Sequence, residues 1–121
     1  MATGIPVDPV QYGGVTYTIG QANNALLYPG LGLGTIVAGA SRVTAGMLLA
    51  AAQAVAGQVD VSAPGAALVP AVENLRASSA TTAVAVVNAA IADGVATRKP
   101  ANPVQAVQDA MWQPAYPDGA A

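Results

Sequence analysis

Two adjacent asparagines, Asn23 and Asn24, are the residues in this sequence best suited to hold a charged small molecule. A side-chain amide carries two N–H donors and an acceptor, so the pair can bind a carboxylate or a carboxamide without burying a charge. The same residue type also suits a turn, because asparagine tolerates unusual backbone angles. Spacing alone leaves both roles open. The pair ends a polar loop, Gly20 to Asn24, inside an otherwise apolar region, and such loops carry function more often than the elements around them.

Other chemistry is sparse. Gly30-Leu31-Gly32-Leu33-Gly34-Thr35 hints at a nucleotide loop. The dinucleotide fingerprint, however, asks for glycine where Thr35 stands, and no P-loop lysine follows, Lys99 being the only lysine. These glycines read instead as the face of a closely packed helix. Asp60, Glu73, Asp93 and Asp109 share no close helical spacing. Each reads as a solvated charge or a cap rather than as half of an acid–base pair or part of a metal set. Arg98-Lys99 follows a helix stop and reads as exposed. The chain has no cysteine and no histidine, which removes disulfides, thiolate zinc sites, the cysteine nucleophile and the commonest general base.

The elements that must position the asparagines come from 121 residues, enough for one small domain. Charged residues make up 8% of the chain, against roughly 25% in ordinary soluble domains. The hydrophobic fraction is 54% but aromatics are only 4%, with no phenylalanine. Packing must therefore rest on alanine and valine between helices. A net charge of -2 argues against nucleic acid as a partner. A membrane helix needs about 18 continuous apolar residues. The uncharged stretch Pro9 to Ser41 is broken by Gln11, Gln21, Asn23, Asn24, Pro29 and glycines, and Ala77 to Ala92 holds serines, threonines and Asn88. Neither makes a convincing span. No basic region precedes an apolar one at the start, so no signal peptide is expected, and a cytoplasmic location is. The low charge then implies that several faces are buried against other protein.

A mainly α fold with a short N-terminal β hairpin is predicted. Val15 to Ile19 suits a strand that Gly13-Gly14 turns back from Val10 to Tyr12. A helix follows from Pro29 to Ala40, where Gly30, Gly32 and Gly34 each cost about 1 kcal/mol relative to alanine and make sense only if another backbone comes close. Thr44 is the expected N-cap of a helix over Ala45 to Ala56, with Met47, Leu48, Ala51 and Val55 on one face and Gly57 past its end. Gln58 to Val69 reads as a flexible link. Pro70 opens the longest helix, which runs to about Asp93 with Gly94 as its stop, and Val72, Leu75, Ser79, Ala83, Val86, Val87 and Ala90 share one side. Asn102-Pro103 starts a last short helix to about Trp112, and the tail from about residue 113 is expected to be disordered.

Gly20-Gln21-Ala22-Asn23-Asn24-Ala25-Leu26-Leu27-Tyr28-Pro29-Gly30 closely resembles the late Gly-Gln-x-Asn-Asn-x-(apolar)2-aromatic-Pro-Gly segment of malic enzymes. Ala2-Thr3-Gly4-Ile5-Pro6-Val7 is similar to that family's Ala-Thr-Gly-Ser-Pro-Phe segment, and Val10 to Tyr17 to its hairpin. Arg42-Val43-Thr44 with Met47 to Ala56, Val69-Pro70 with Leu75-Arg76 and Ser78-Ser79, Asp93-Gly94-Val95-Ala96, and Met111-Trp112 with Tyr116 extend the resemblance over nearly the whole chain. The sequence departs from the pattern in three places. Ile5 replaces the usual serine, Ala45-Gly46 stands where an acid is common, and Pro70 lacks a second proline.

The resemblance implies that residues 1–40 end a Rossmann-type NAD-binding domain, with the β segment, the Asn-Asn loop and the glycine-faced helix. Residues 41–121 would be the terminal helical region. It also implies oxidation of malate to pyruvate with NAD or NADP, and decarboxylation on Mg2+ or Mn2+, in a complete enzyme. Asn23 and Asn24 would contact substrate and cofactor. The family's catalytic tyrosine and lysine, its metal-binding acids and its dinucleotide loop lie upstream of this region. The chain is therefore expected to be a C-terminal fragment, inactive alone and holding no cofactor or metal by itself. Its partners would be the missing upstream domains or further copies of itself. The alternatives are a non-enzymatic helical interaction module and a chain that completes a split malic enzyme in trans.

Overall fold

A computed structural model describes residues 1–116. Four short strands precede four α-helices: β1 (Ala2–Thr3), β2 (Val10–Tyr12), β3 (Val15–Tyr17), β4 (Gly20–Gln21), α1 (Tyr28–Ala38), α2 (Ala45–Ala56), α3 (Leu75–Ala92) and α4 (Pro103–Ala110). The expected hairpin forms, with Val10 opposite Tyr17 and Tyr12 opposite Val15. Gly13 and Gly14 take φ of 58° and 75°, the left-handed pair that a two-residue hairpin turn needs to match strand twist.

Gly20 to Asn24 is not one loop, as its polarity suggested. Gly20 and Gln21 are a strand, and β4 lies parallel to β1 with Ala2 opposite Gly20 and Thr3 opposite Gln21. The Gly20 N–H donates to the Met1 carbonyl at 3.1 Å, and the Ala22 N–H to that of Thr3 at 2.8 Å. Nothing local in two residues signals a partner so far back in the chain.

Helix α3 is the centre of the molecule. Ser78, Ser79, Thr82, Ala83, Val86, Val87 and Ala90 are all buried along it, and α1, α2 and α4 pack around it. Together with the preceding 3-10 turn it forms a 21-residue stretch of mean hydropathy 1.2, long and apolar enough by length and composition to cross a membrane. Here that apolarity is spent on packing three helices. The helix begins later than Pro70 suggested, because a 3-10 turn over Val72–Asn74 intervenes. It ends at Gly94, whose φ of 71° only glycine adopts freely. Among the described residues the buried hydroxyls of Ser78 and Thr82 have no hydrogen-bond partner, so these side chains serve the seam through packing rather than polarity.

Two of the three glycines in α1 explain that seam. A Cβ on Gly30 would come within 2.6 Å of Thr82 Cβ, and one on Gly34 within 2.6 Å of the Ala83 carbonyl oxygen. The backbone that must approach closely is α3 of the same chain. Gly32 departs from the expectation: a Cβ there would meet nothing within 4 Å.

Thr44 caps α2 as expected, its hydroxyl accepting the Met47 N–H at 3.1 Å. The buried face is narrower than expected. Met47, Ala51 and Val55 are buried at spacing four, while Leu48 is 48% exposed because α2 meets α3 along a single row. Gly57 follows α2 but keeps a right-handed φ of -72°. The segment from Gln58 to Val69 has no helix or strand, yet it is laid along β3 and β4 rather than hanging free. The Thr18 N–H donates to the Gly65 carbonyl at 2.8 Å, and Gly65, at φ 81°, leaves no room for a Cβ against the Thr16 carbonyl. Asn102 caps α4 by accepting the Gln105 N–H at 3.1 Å, and Val107 of that helix is fully buried. Residues 113–116 are irregular and exposed; the rest of the tail expected to be disordered lies outside the described residues.

Candidate functional site

Strand β4 delivers the asparagines to one place, the carboxyl end of the parallel pair. In open parallel sheets ligands bind outside the carboxyl ends of the strands. Both chain exits of this pair, Gly4-Ile5-Pro6 after β1 and Ala22-Asn23-Asn24 after β4, lie at that end. The first is bent by Thr3, whose hydroxyl donates to the Ile5 carbonyl at 2.8 Å.

The two asparagines do different things. Asn23 is extended (φ -119°, ψ 140°) and caps a 3-10 turn over Asn24–Leu26. Its Oδ1 accepts the Ala25 N–H at 2.9 Å, and its NH2 group donates to nothing among the described residues. The Asn24 amide makes no hydrogen bond among the described residues, and both side chains are exposed. Leu26, 3% exposed, anchors the turn in the core. The turn role and the presentation of free amide donors therefore coexist, with Asn23 shaping the loop and Asn24 wholly available.

Beside this loop lies a cleft of about 240 Å3 between the strands and the residues leading into α3. Pro6, Thr18, Gln21, Val69 and Glu73 line it, and neither asparagine does. Gln21 and Glu73 are polar groups at this edge that the sequence did not single out as a pair. They come from β4 and from the 3-10 turn before α3, about fifty residues apart, so no local pattern announces that they share a cleft.

The remaining candidates stay apart. Asp93 accepts a hydrogen bond from Thr44, Asp60 accepts the Ser62 N–H at 2.9 Å, and Asp109 accepts from Gln105 at 2.7 Å. The Ser62 hydroxyl and then its N–H hold the Asp60 carboxyl below the usual carboxylate value. No group of three or more metal-binding side chains converges among the described residues. The Gly30–Thr35 run lies inside α1, with two of its glycines against α3, and so cannot open as a phosphate loop. Arg98 reaches the Ile36 carbonyl at 3.4 Å, near the carboxyl end of α1.

Comparison with known proteins gives the family. The family model "Malic enzyme, NAD binding domain" matches residues 1–91. The chain belongs to the malic enzyme family, and its matched part is NAD-binding domain. It is 58% identical over 116 residues to NAD-dependent malic enzyme 3 of Bacillus subtilis, a match covering 96% of this chain and 20% of the relative. It is 55% identical to a malate oxidoreductase (NAD) of Mycobacterium tuberculosis, over 96% of this chain and 21% of that protein. It is 46% identical to a malolactic enzyme of Leuconostoc mesenteroides over the same shares. The chain spans about a fifth of the length of these relatives.

Proposed function

We propose that this chain is the asparagine-loop segment of a malic enzyme that oxidises malate to pyruvate with NAD or NADP. In this reading residues 1–40 supply the β segment, the Asn-Asn loop and the glycine-faced helix of a Rossmann-type nucleotide domain, and the helices that follow belong to the same domain as far as residue 91. The observation that carries the reading is the free amide of Asn24 at the carboxyl end of β1 and β4. Its N–H donors fit a substrate carboxylate or the nicotinamide carboxamide, and the Asn23 cap fixes the turn from which they project. NAD(P), when bound, accepts the hydride from malate. The described residues fit only its carboxamide end, since no glycine loop stands between a strand and a helix to cradle its phosphates. They do not fit the Mg2+ or Mn2+ of a decarboxylating enzyme, because no set of acids converges. Activity then depends on the portions that the relatives carry outside the matched region, joined to this chain or assembled with it.

Two preparations test this. The chain alone, given malate, NAD(P) and Mn2+, is expected to form no NADH or NADPH. A chimera with this chain in place of the matched segment of the Bacillus subtilis relative is expected to reduce NAD with malate. An inactive but folded chimera would overturn the proposal, as would turnover by the chain alone.

A further inference from the structure

The Asn-Asn turn is held at both ends. On its far side Leu26 is locked in the core. On its near side Gly20 is buried in β4 and has no room for a side chain. A Cβ there would fall 2.7 Å from Val69 Cγ2, 3.5 Å from the Val69 nitrogen and 3.6 Å from the Val69 oxygen. Valine is stiff about χ1, so this wall does not swing aside as a longer side chain would. Nor does Val69 retreat freely. It ends the strap whose Gly65 carbonyl accepts the Thr18 N–H at 2.8 Å, and its neighbour Pro70 is buried. Between the two anchors runs only the segment Gln21 to Ala25, tied to β1 by the bond from the Ala22 N–H to the Thr3 carbonyl.

We infer, resting on the function proposed above, that Val69 is a positioning residue: by its contact with Gly20 it sets where Asn24 presents its amide to the substrate. Its side chain acts through the strand rather than on the substrate. A strand of two residues has little slack to absorb a displacement at Gly20. With Leu26 fixed, the displacement passes to the residues between, and Asn24 has no hydrogen bond of its own among the described residues to resist it. Misplacing a binding group by about 1 Å costs roughly a hundredfold in rate, so even a smaller shift of the Asn24 amide is read in turnover.

The test is a rescue in the chimera described above. Gly20→Ala is expected to lower kcat/KM for malate about tenfold per folded molecule. Gly20→Ala with Val69→Ala, which removes the facing methyl groups, is expected to recover to within about threefold of the chimera. In an Asn24→Ala background, Gly20→Ala should add no further loss, because the contact acts through that amide. Unchanged turnover per folded Gly20→Ala molecule, no recovery in the double variant, or an equal loss without the Asn24 amide overturns the inference. Nuclear magnetic resonance of the 15N-labelled chain gives a reading independent of turnover. The Asn24 side-chain NH2 resonances are expected to shift in Gly20→Ala and to return in the double variant. A chimera that does not oxidise malate, with these shifts present, removes the proposed function and keeps the positioning role. An active chimera with unmoved resonances and kinetics does the reverse. Should Gly20→Ala not fold, Val69→Ala alone, which loosens the same contact, carries both readings with a loss of about threefold that again vanishes in the Asn24→Ala background.

Discussion

The Thr44 hydroxyl donates to the Asp93 carboxylate while accepting the Met47 N–H, so one side chain closes the amino end of α2 and ties it to the carboxyl end of α3. The contact joins residues 49 positions apart. It is possible because Gly46 has no Cβ: one would fall against the Asp93 carboxylate.

Removing that hydroxyl should cost more than an ordinary cap. Caps are worth about 1 kcal/mol, and Asp93 would lose its partner as well, so Thr44→Ala should destabilise by about 1–2 kcal/mol. Thr44→Ser should keep most of the stability. Urea denaturation followed by far-UV circular dichroism separates the two variants, and equal losses would mean that the hydroxyl is not the stabilising group.

Gly34→Ala tests the seam between α1 and α3. Its Cβ would sit 2.6 Å from the Ala83 carbonyl and 2.7 Å from Val86 Cβ, and backbone yields less readily than side chains. Overpacking of this kind costs about 1–3 kcal/mol. Unfolding free energies should show a loss at Gly34, and a neutral substitution would mean that the helices are farther apart than described.

The asparagines should separate by the kind of defect they cause. Asn23→Ala removes the acceptor for the Ala25 N–H and should cost about 1 kcal/mol of stability. Asn24→Ala should leave stability within about 0.5 kcal/mol but lower kcat/KM for malate in the chimera roughly tenfold to hundredfold, the worth of an N–H bond to a charged group. Asn24→Asp should be worse, since it brings a negative charge to the substrate carboxylate. Steady-state kinetics corrected for folded fraction decides this, and near-wild-type values for Asn24→Asp would reduce the pair to a turn.

Asp60 sets one acid-side dependence. Its carboxyl is held below the ordinary value of 3.8 by Ser62, so the ionised form is favoured by folding. That contribution is complete above the ordinary value and is lost as pH falls through the lower folded one. The melting-temperature difference between the wild type and Asp60→Asn should therefore be largest near neutrality and shrink below about pH 3.8. A difference that grows on acidification would contradict the assignment.

Local chemistry was legible from the residues alone. The Thr44 and Asn102 caps, the Gly13-Gly14 turn and the Gly94 stop each depend on a few neighbouring side chains and stand where their residue types place them. The Asn-Asn loop was found for the same reason, as a polar break in an apolar run. What was not legible depends on residues far apart in sequence. The β1–β4 pairing turned half of the supposed loop into strand. The docking of Gly65 on β3 converted an expected flexible link into a strap. Helical periodicity put Leu48 with Met47, but only the single-row contact with α3 decides which of them is covered. Likewise, three glycines in one helix look alike until the neighbour of each is known.

The buried apolar residues, from Leu26 through Met47, Val86 and Val87 to Val107, include no aromatic ring. The chromophores sit at the periphery instead: Tyr12 and Trp112 are each 77% exposed and Tyr116 is 93% exposed. Intrinsic fluorescence and near-ultraviolet dichroism will thus follow the rim of the molecule and stay nearly silent on its interior. The core could loosen while both optical signals looked native, or Trp112 could be quenched while the core stayed intact. Methyl resonances of Met47, Val86 and Val87 are the spectroscopic view of whether this protein is folded.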